Sequence, residues 1–287
     1  MHRRSSFGTT LVLAAGAALS FVELSHTTTP NSSSKKPELL HSSASEAPVT
    51  SVSLQDYLSQ ELPKIIAAQE KRLGITYATK PSIPLQLDDL HDERVKNFLR
   101  SGTSAYVFKC NEIHLSPLLF KRPTDCTGDC CFFDLAHACI IPKLRSALKS
   151  ALDHELGHFY TDTLGERLNA KDWPPFSHAQ DLNEIDLMYF TLCEGIADYF
   201  MHTMNTAEED TFNEDHWPKN STEATVAYVF EPRLFYKGGY HFVRPIIDVH
   251  GACGIEHLVR YVPQKADLFT LPELQKRMLE ELAQKSK

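Results

Sequence analysis

The residues with chemistry in them fall in one hexapeptide, Asp153-His154-Glu155-Leu156-Gly157-His158. A His-Glu-x-x-His match is expected by chance only about 0.05 times in a chain of this length and composition. On an α-helix His154 and His158 are four residues apart, so both imidazoles lie on one face, with Cβ atoms roughly 5–6 Å apart, and can meet at one point. Two nitrogen donors at that separation suit one tetrahedral Zn²⁺ per chain. Glu155 is rotated by about 100° from His154 and stands beside that face, where it can hold and deprotonate a water at the metal.

A catalytic zinc takes a third protein ligand and keeps one position open. The segment Cys193-Glu194-Gly195-Ile196-Ala197-Asp198 offers two acids, again four apart, in a run so apolar that burying them is costly unless they are paired or bound to a metal. Glu194 is the expected third ligand. Asp198 is expected to accept a hydrogen bond from the far nitrogen of a ligand histidine, which fixes its tautomer. Glu166 and His178 are the alternatives to Glu194, because 35 residues, including Asp172-Trp173-Pro174-Pro175-Phe176-Ser177-His178, separate His158 from Glu194.

His154-Glu155-x-x-His158 followed by Glu194-x-x-x-Asp198 resembles the gluzincin clan of zinc metallopeptidases, and Glu194-Gly195-x-Ala197-x-Tyr199 is similar to the form in its aminopeptidase-like members. Tyr236-Lys237-Gly238-Gly239 resembles the helix start that carries a tyrosine in the same group. The resemblance implies a zincin-like domain that hydrolyses peptide bonds, with Tyr236 donating its hydroxyl to the oxyanion of the tetrahedral intermediate. Tyr240 and His241 are rival donors. It covers about Ala105 to Val262, and three features depart from it: the long gap before Glu194, the lack of a Gly-Ala-Met-Glu-Asn exopeptidase segment, and Thr161 where the metzincin pattern has glycine.

Positioning these groups takes two central helices. Leu144, Leu148, Leu152, Leu156 and Phe159 repeat at helical spacing, with Gly165 as the expected stop, and Asp186 to Met204 is apolar almost all round, as a central helix would be. A first helix runs from Leu54 to Gly74, with Pro63 expected to kink or break it. Ile75 to Ala78 and Ala105 to Leu115 have β-like composition. The expected fold class is therefore α+β, with further helices from about Tyr236, Gly254 and Pro272, and the resemblance implies a small mixed or antiparallel sheet packed on the zinc helix, with Asn111 to Leu115 as an edge strand that aligns an extended peptide.

Composition bounds the rest. A formal charge of -8 and the lack of basic runs interleaved with aromatics exclude a nucleic-acid partner and leave a peptide or protein substrate. Residues 1–22 combine a basic leader with an apolar run, which predicts an export signal, or a retained N-terminal anchor as the only link to a membrane, and hence a periplasmic or extracellular protein. No cysteine precedes Cys110, which excludes a lipoprotein anchor. Residues 23–52, rich in Ser, Thr and Pro, read as a disordered linker, and 53–287 as the catalytic domain. Cys110, Cys126, Cys130, Cys131 and Cys139 cluster as an exported protein's disulfides would, with a zinc knuckle including His137 as the competing reading, and Cys193 reads as a buried free thiol. The same residues would also serve an inactive zinc-holding module or a zinc hydrolase of a non-peptide amide or ester.

Overall fold

The structure is a computed structural model that describes residues 12–15, 52–85, 104–107, 111–115, 139–140, 145–170, 173, 183–202 and 212–285. Helices α1 (Leu54–Leu73), α2 (Arg145–Leu168), α3 (Glu184–His202), α4 (Ser221–Phe230), α5 (Arg233–Arg260) and α6 (Leu271–Lys285) carry nearly all of the buried surface. Strands β1 (Val12–Ala15), β3 (Ser104–Val107) and β4 (Glu112–Leu115) pair antiparallel in the order β1-β3-β4, and β2 (Val52–Ser53) pairs with β5 (Cys139–Ile140).

This overturns the α+β expectation. The described chain is overwhelmingly helical, and its strands are pieces of two to four residues that form no layer across the core. The reason is that α2, α3 and α5 bury one another: α2 is inaccessible along its whole middle, Ala151 to Asp162, and α3 lies between α2 and α5. Once helices cover α3 on both sides, a sheet has no apolar face left to cover.

Local chemistry sets the helix ends. Ser53 caps α1 by accepting from the Asp56 amide at 3.1 Å, and Gly74 closes it with a left-handed φ of 64°. Pro63 sits inside α1 without breaking it. Asn183 and Asp186 form a reciprocal capping box at the start of α3: the Asn183 side chain accepts from the Asp186 amide at 3.1 Å, while the Asp186 carboxylate accepts from the Asn183 amide at 3.3 Å. Helix α2 runs through Gly165 and stops at Asn169, φ 52°, because Gly165 is where the Trp173 ring rests on the helix. Ile75 to Ala78 is irregular rather than a strand; Tyr77 is its anchor, donating to Gln69 Oε1 at 2.5 Å. The β-like run at Ala105 to Leu115 is a strand pair, with Asn111 at φ 54° in its turn. As the expected helices from about Tyr236 and Gly254 imply, α5 is two helical pieces that meet at a non-helical kink at Gly251, φ 53° and ψ -132°.

Strand β4 ends the strand order of its sheet, and among the described residues its outer side carries one isolated bridge, at Glu112. One side pairs with β3, and on the other Ser82 donates to the Asn111 carbonyl and accepts from the Ile113 amide, each at 2.8 Å. Among the described residues no helix is long and apolar enough to cross a membrane. Apart from β1, the expected signal or anchor lies outside the described residues, as do most of the linker and Cys110, Cys126, Cys130, Cys131, His137 and His178. Cys193 is a buried free thiol, as its apolar setting implies.

The three central helices touch backbone to backbone. A Cβ on Gly239 of α5 would lie 2.1 Å from the Thr191 carbonyl oxygen of α3, and one on Gly195 of α3 would lie 2.3 Å from the Gly239 carbonyl carbon. On the other flank, a Cβ on Gly157 of α2 would meet the Ala197 Cα at 2.8 Å. Alanine at Gly195 or Gly239 must push α3 and α5 apart, since backbone has no rotamer with which to yield. Each substitution is expected to destabilise the fold by at least the roughly 1–3 kcal/mol typical of overpacking, read as a lower denaturation midpoint, whereas Gly74→Ala should cost only its backbone strain.

Candidate metal centre

Helix α2 is held in azimuth by the first residue of the hexapeptide. Asp153, buried on the side facing α1, accepts from Gln69 Nε2 at 3.0 Å and from Lys149 Nζ at 2.6 Å, and Gln69 also donates to the Asp153 carbonyl at 3.2 Å. Burial raises the Asp153 pKa, and Lys149, Arg72 and Gln69 offset part of that rise. With Asp153 clamped to α1, the helix period turns His154 and His158 toward α3. Nothing in the spacing marked Asp153 for this role; its signal is an acid that a 3.6-residue repeat buries beside a lysine four positions earlier.

His154, His158 and Glu194 are all fully or almost fully buried and converge. The two Nε2 atoms are 3.1 Å apart, and Glu194 Oε2 lies 3.2 Å from His154 Nε2 and 3.5 Å from His158 Nε2. Despite these approaches, neither Glu194 oxygen has a hydrogen bond of acceptable direction. A carboxylate so placed is stabilised only by positive charge close by, a proton on the imidazoles or a cation between the three groups. The electrostatics agree. Burial alone would lower the His154 pKa, but the Asp198 and Glu194 carboxylates outweigh it and hold it well above its ordinary value; burial would raise that of Glu194, but His158 and His154 pull it down. These three residues form a buried group that could hold a metal ion.

Asp198, one turn beyond Glu194, accepts from His154 Nδ1 at 2.9 Å. That bond keeps a proton on Nδ1, so whenever Nε2 gives up its own proton its lone pair faces His158 and Glu194, the tautomer a metal ligand requires. Glu155 lies beside the group and is fully buried; one oxygen accepts from Ser104 Oγ at 2.9 Å and the other has no partner. Its pKa is raised by burial, and His154, His158 and Ser104 reverse only part of the shift.

Tyr236 of α5 stacks on His154, ring centroids 6.3 Å apart and 25° from parallel, and meets Phe190 edge-on. Tyr240, one turn on, leans against Tyr199 and lies under the Arg244 guanidinium, and His241 stacks on Phe212, 5.3 Å away. Of the three candidate donors, Tyr236 is seen to stack on His154. Glu166 is exposed on α2, about two turns beyond His158, and is not part of the group.

No family model, no curated protein and no solved structure matches this chain.

Titration with a divalent transition-metal ion should separate these roles. Asp198→Asn is expected to weaken binding about 10–100-fold, the cost of losing an outer-shell partner, and Glu194→Gln by more than that, whereas Glu166→Gln should bind as the wild type does.

Proposed function

We propose that the chain is an exported zinc metallopeptidase, with His154, His158 and Glu194 as the zinc ligands and Glu155 as the general base. The observation that carries this reading is the convergence of two imidazole nitrogens and a donor-free buried carboxylate beside a second buried glutamate. Bonds of about 2.0–2.1 Å at tetrahedral angles put ligand atoms about 3.3–3.4 Å apart. The separations of 3.1, 3.2 and 3.5 Å bracket that value, so the residues fit the ion. Two nitrogens and one carboxylate make three protein ligands, the number typical of a catalytic zinc rather than the four of a closed structural one.

Zinc bound there would supply a Lewis acid, polarising a scissile carbonyl and acidifying a water. The chain's own residues do the rest. Glu155 takes the proton from the attacking water on its unpartnered oxygen and later delivers it to the leaving amine, and burial raises its pKa, the direction that favours holding a proton between the two transfers. Asp198 keeps the proton of His154 on Nδ1. The Tyr236 hydroxyl, carried by a ring stacked on His154, is the neutral donor for the oxyanion. The resemblance to gluzincin peptidases at the two motifs supports a peptide bond as substrate, and the basic-apolar N-terminus supports export.

Zinc content and hydrolysis of a peptide library, with esters in parallel, test this. Glu155→Gln is expected to keep its zinc and lose about 10²–10⁴-fold in kcat, and Tyr236→Phe about 10²–10³-fold. A wild-type chain free of metal, or a Glu155→Gln variant as fast as wild type, would overturn the mechanism; ester cleavage without peptide cleavage would overturn the substrate.

A further inference from the structure

We propose that Ser104 is a positioning residue for the general base, assigning separate jobs to the two oxygens of Glu155. The proposal rests on the hydrolase reading and deepens it. Ser104 opens β3, 51 residues from Glu155 in sequence, and is fully inaccessible to solvent. Its hydroxyl donates to Glu155 Oε1 at 2.9 Å, and its backbone is fixed by pairing with Leu115 of β4, itself fully buried. Glu155 Oε2 is buried with no hydrogen-bond partner.

A glutamate carries three side-chain torsions, and its two oxygens exchange by a turn about the last of them, which is broad and nearly two-fold. A base that must receive a proton at one atom and return it to another needs one oxygen in one place. One hydroxyl on a paired strand does this: Oε1 is tethered, so Oε2 is the oxygen left to work. In the proposed step the water O–H bond breaks and an Oε2–H bond forms as the water oxygen attacks the carbonyl carbon. The same Oε2–H bond then breaks as the C–N bond opens and an N–H bond forms on the leaving amine. Glu155 ends as it began, and Ser104 Oγ keeps its proton throughout. Had Ser104 only a structural part, satisfying a buried acid, its loss would lower stability without slowing turnover on folded, zinc-loaded chain.

The test uses the full chain and the fastest-cleaved peptide of the library, with kcat, KM, zinc per chain and the thermal midpoint measured on each variant. Ser104→Ala is expected to lower kcat about 10–100-fold, the scale of a small misplacement of a catalytic group, with KM within about twofold and zinc unchanged. Ser104→Thr, which restores the hydroxyl, should recover kcat to within about threefold. As a readout apart from activity, Ser104→Ala should lower the midpoint by about 2–4 °C in the wild type and by much less in a Glu155→Ala background, since the two residues share one contact. The proposal is overturned by a Ser104→Ala chain with wild-type kcat per bound zinc, by a folded and zinc-loaded Ser104→Thr chain as slow as Ser104→Ala, or by additive midpoints. If the wild type hydrolyses peptide and Ser104→Ala matches it, only the role of Ser104 falls; a wild type without hydrolysis overturns both.

Discussion

The close approach of α3 to both neighbours is the constraint on which the rest of the molecule depends. Gly157 meets Ala197 on one side, and Gly195 meets Gly239 on the other, at separations that leave no room for a Cβ. These contacts are next to the chemistry in sequence: Gly157 immediately precedes His158, Gly195 follows Glu194, and Gly239 is three residues from Tyr236. Each glycine therefore sets how far one functional side chain stands from the others. A helix pair held apart by ordinary side chains lies about 8–10 Å between axes. With α3 held against α2 at Gly157, Glu194 Oε2 stands 3.2 and 3.5 Å from the two imidazoles of α2.

That geometry gathers two imidazoles and the three carboxylates of Glu155, Glu194 and Asp198 into one cluster, with a fourth carboxylate, Asp153, on the side of α2 that faces α1, all of them buried. The cost of such desolvation is offset in different ways at each acid. Asp198 has its histidine, Asp153 has Lys149 and Gln69, and Glu155 has one hydroxyl. Glu194 has no donor at all, only the approach of two ring nitrogens. A cation placed among the three would balance the carboxylate and use both imidazole lone pairs, and metal binding at such a site is coupled to proton release. Of these acids, Glu194 is the one for which a cation could supply what the protein's own donors do not.

Much of the site was legible in the sequence, because two four-residue spacings on helices are strong geometric statements. His154 and His158 converge on one face of α2, and Glu194 and Asp198 of α3 both reach His154, as the two spacings require. The glycines of the Glu194-Gly195 and Gly238-Gly239 segments were legible as pattern but not as cause; their role is helix contact, which needs the partner helix to be seen. Ser104 and Asp153 were not legible as partners of Glu155 and Gln69, since those contacts span 51 and 84 residues and have no local period. The fold class was misread for a related reason. Short β-branched runs at Ile75 to Ala78 and Ala105 to Leu115 were weighed as a sheet, but the apolar surface that organises the core lies on α2, α3 and α5, and only a small strand pair at Ala105 to Leu115 survives.

The most direct test of the central claim is to identify the metal and its ligands in purified full-length chain, by elemental analysis and X-ray absorption at the metal edge. The account predicts one zinc per chain with two imidazole nitrogens and one carboxylate oxygen at about 2.0–2.2 Å, a shell that loses its carboxylate in Glu194→Gln. A chain that takes up no metal, or one whose zinc is held by cysteine sulfur at about 2.3 Å, would contradict it.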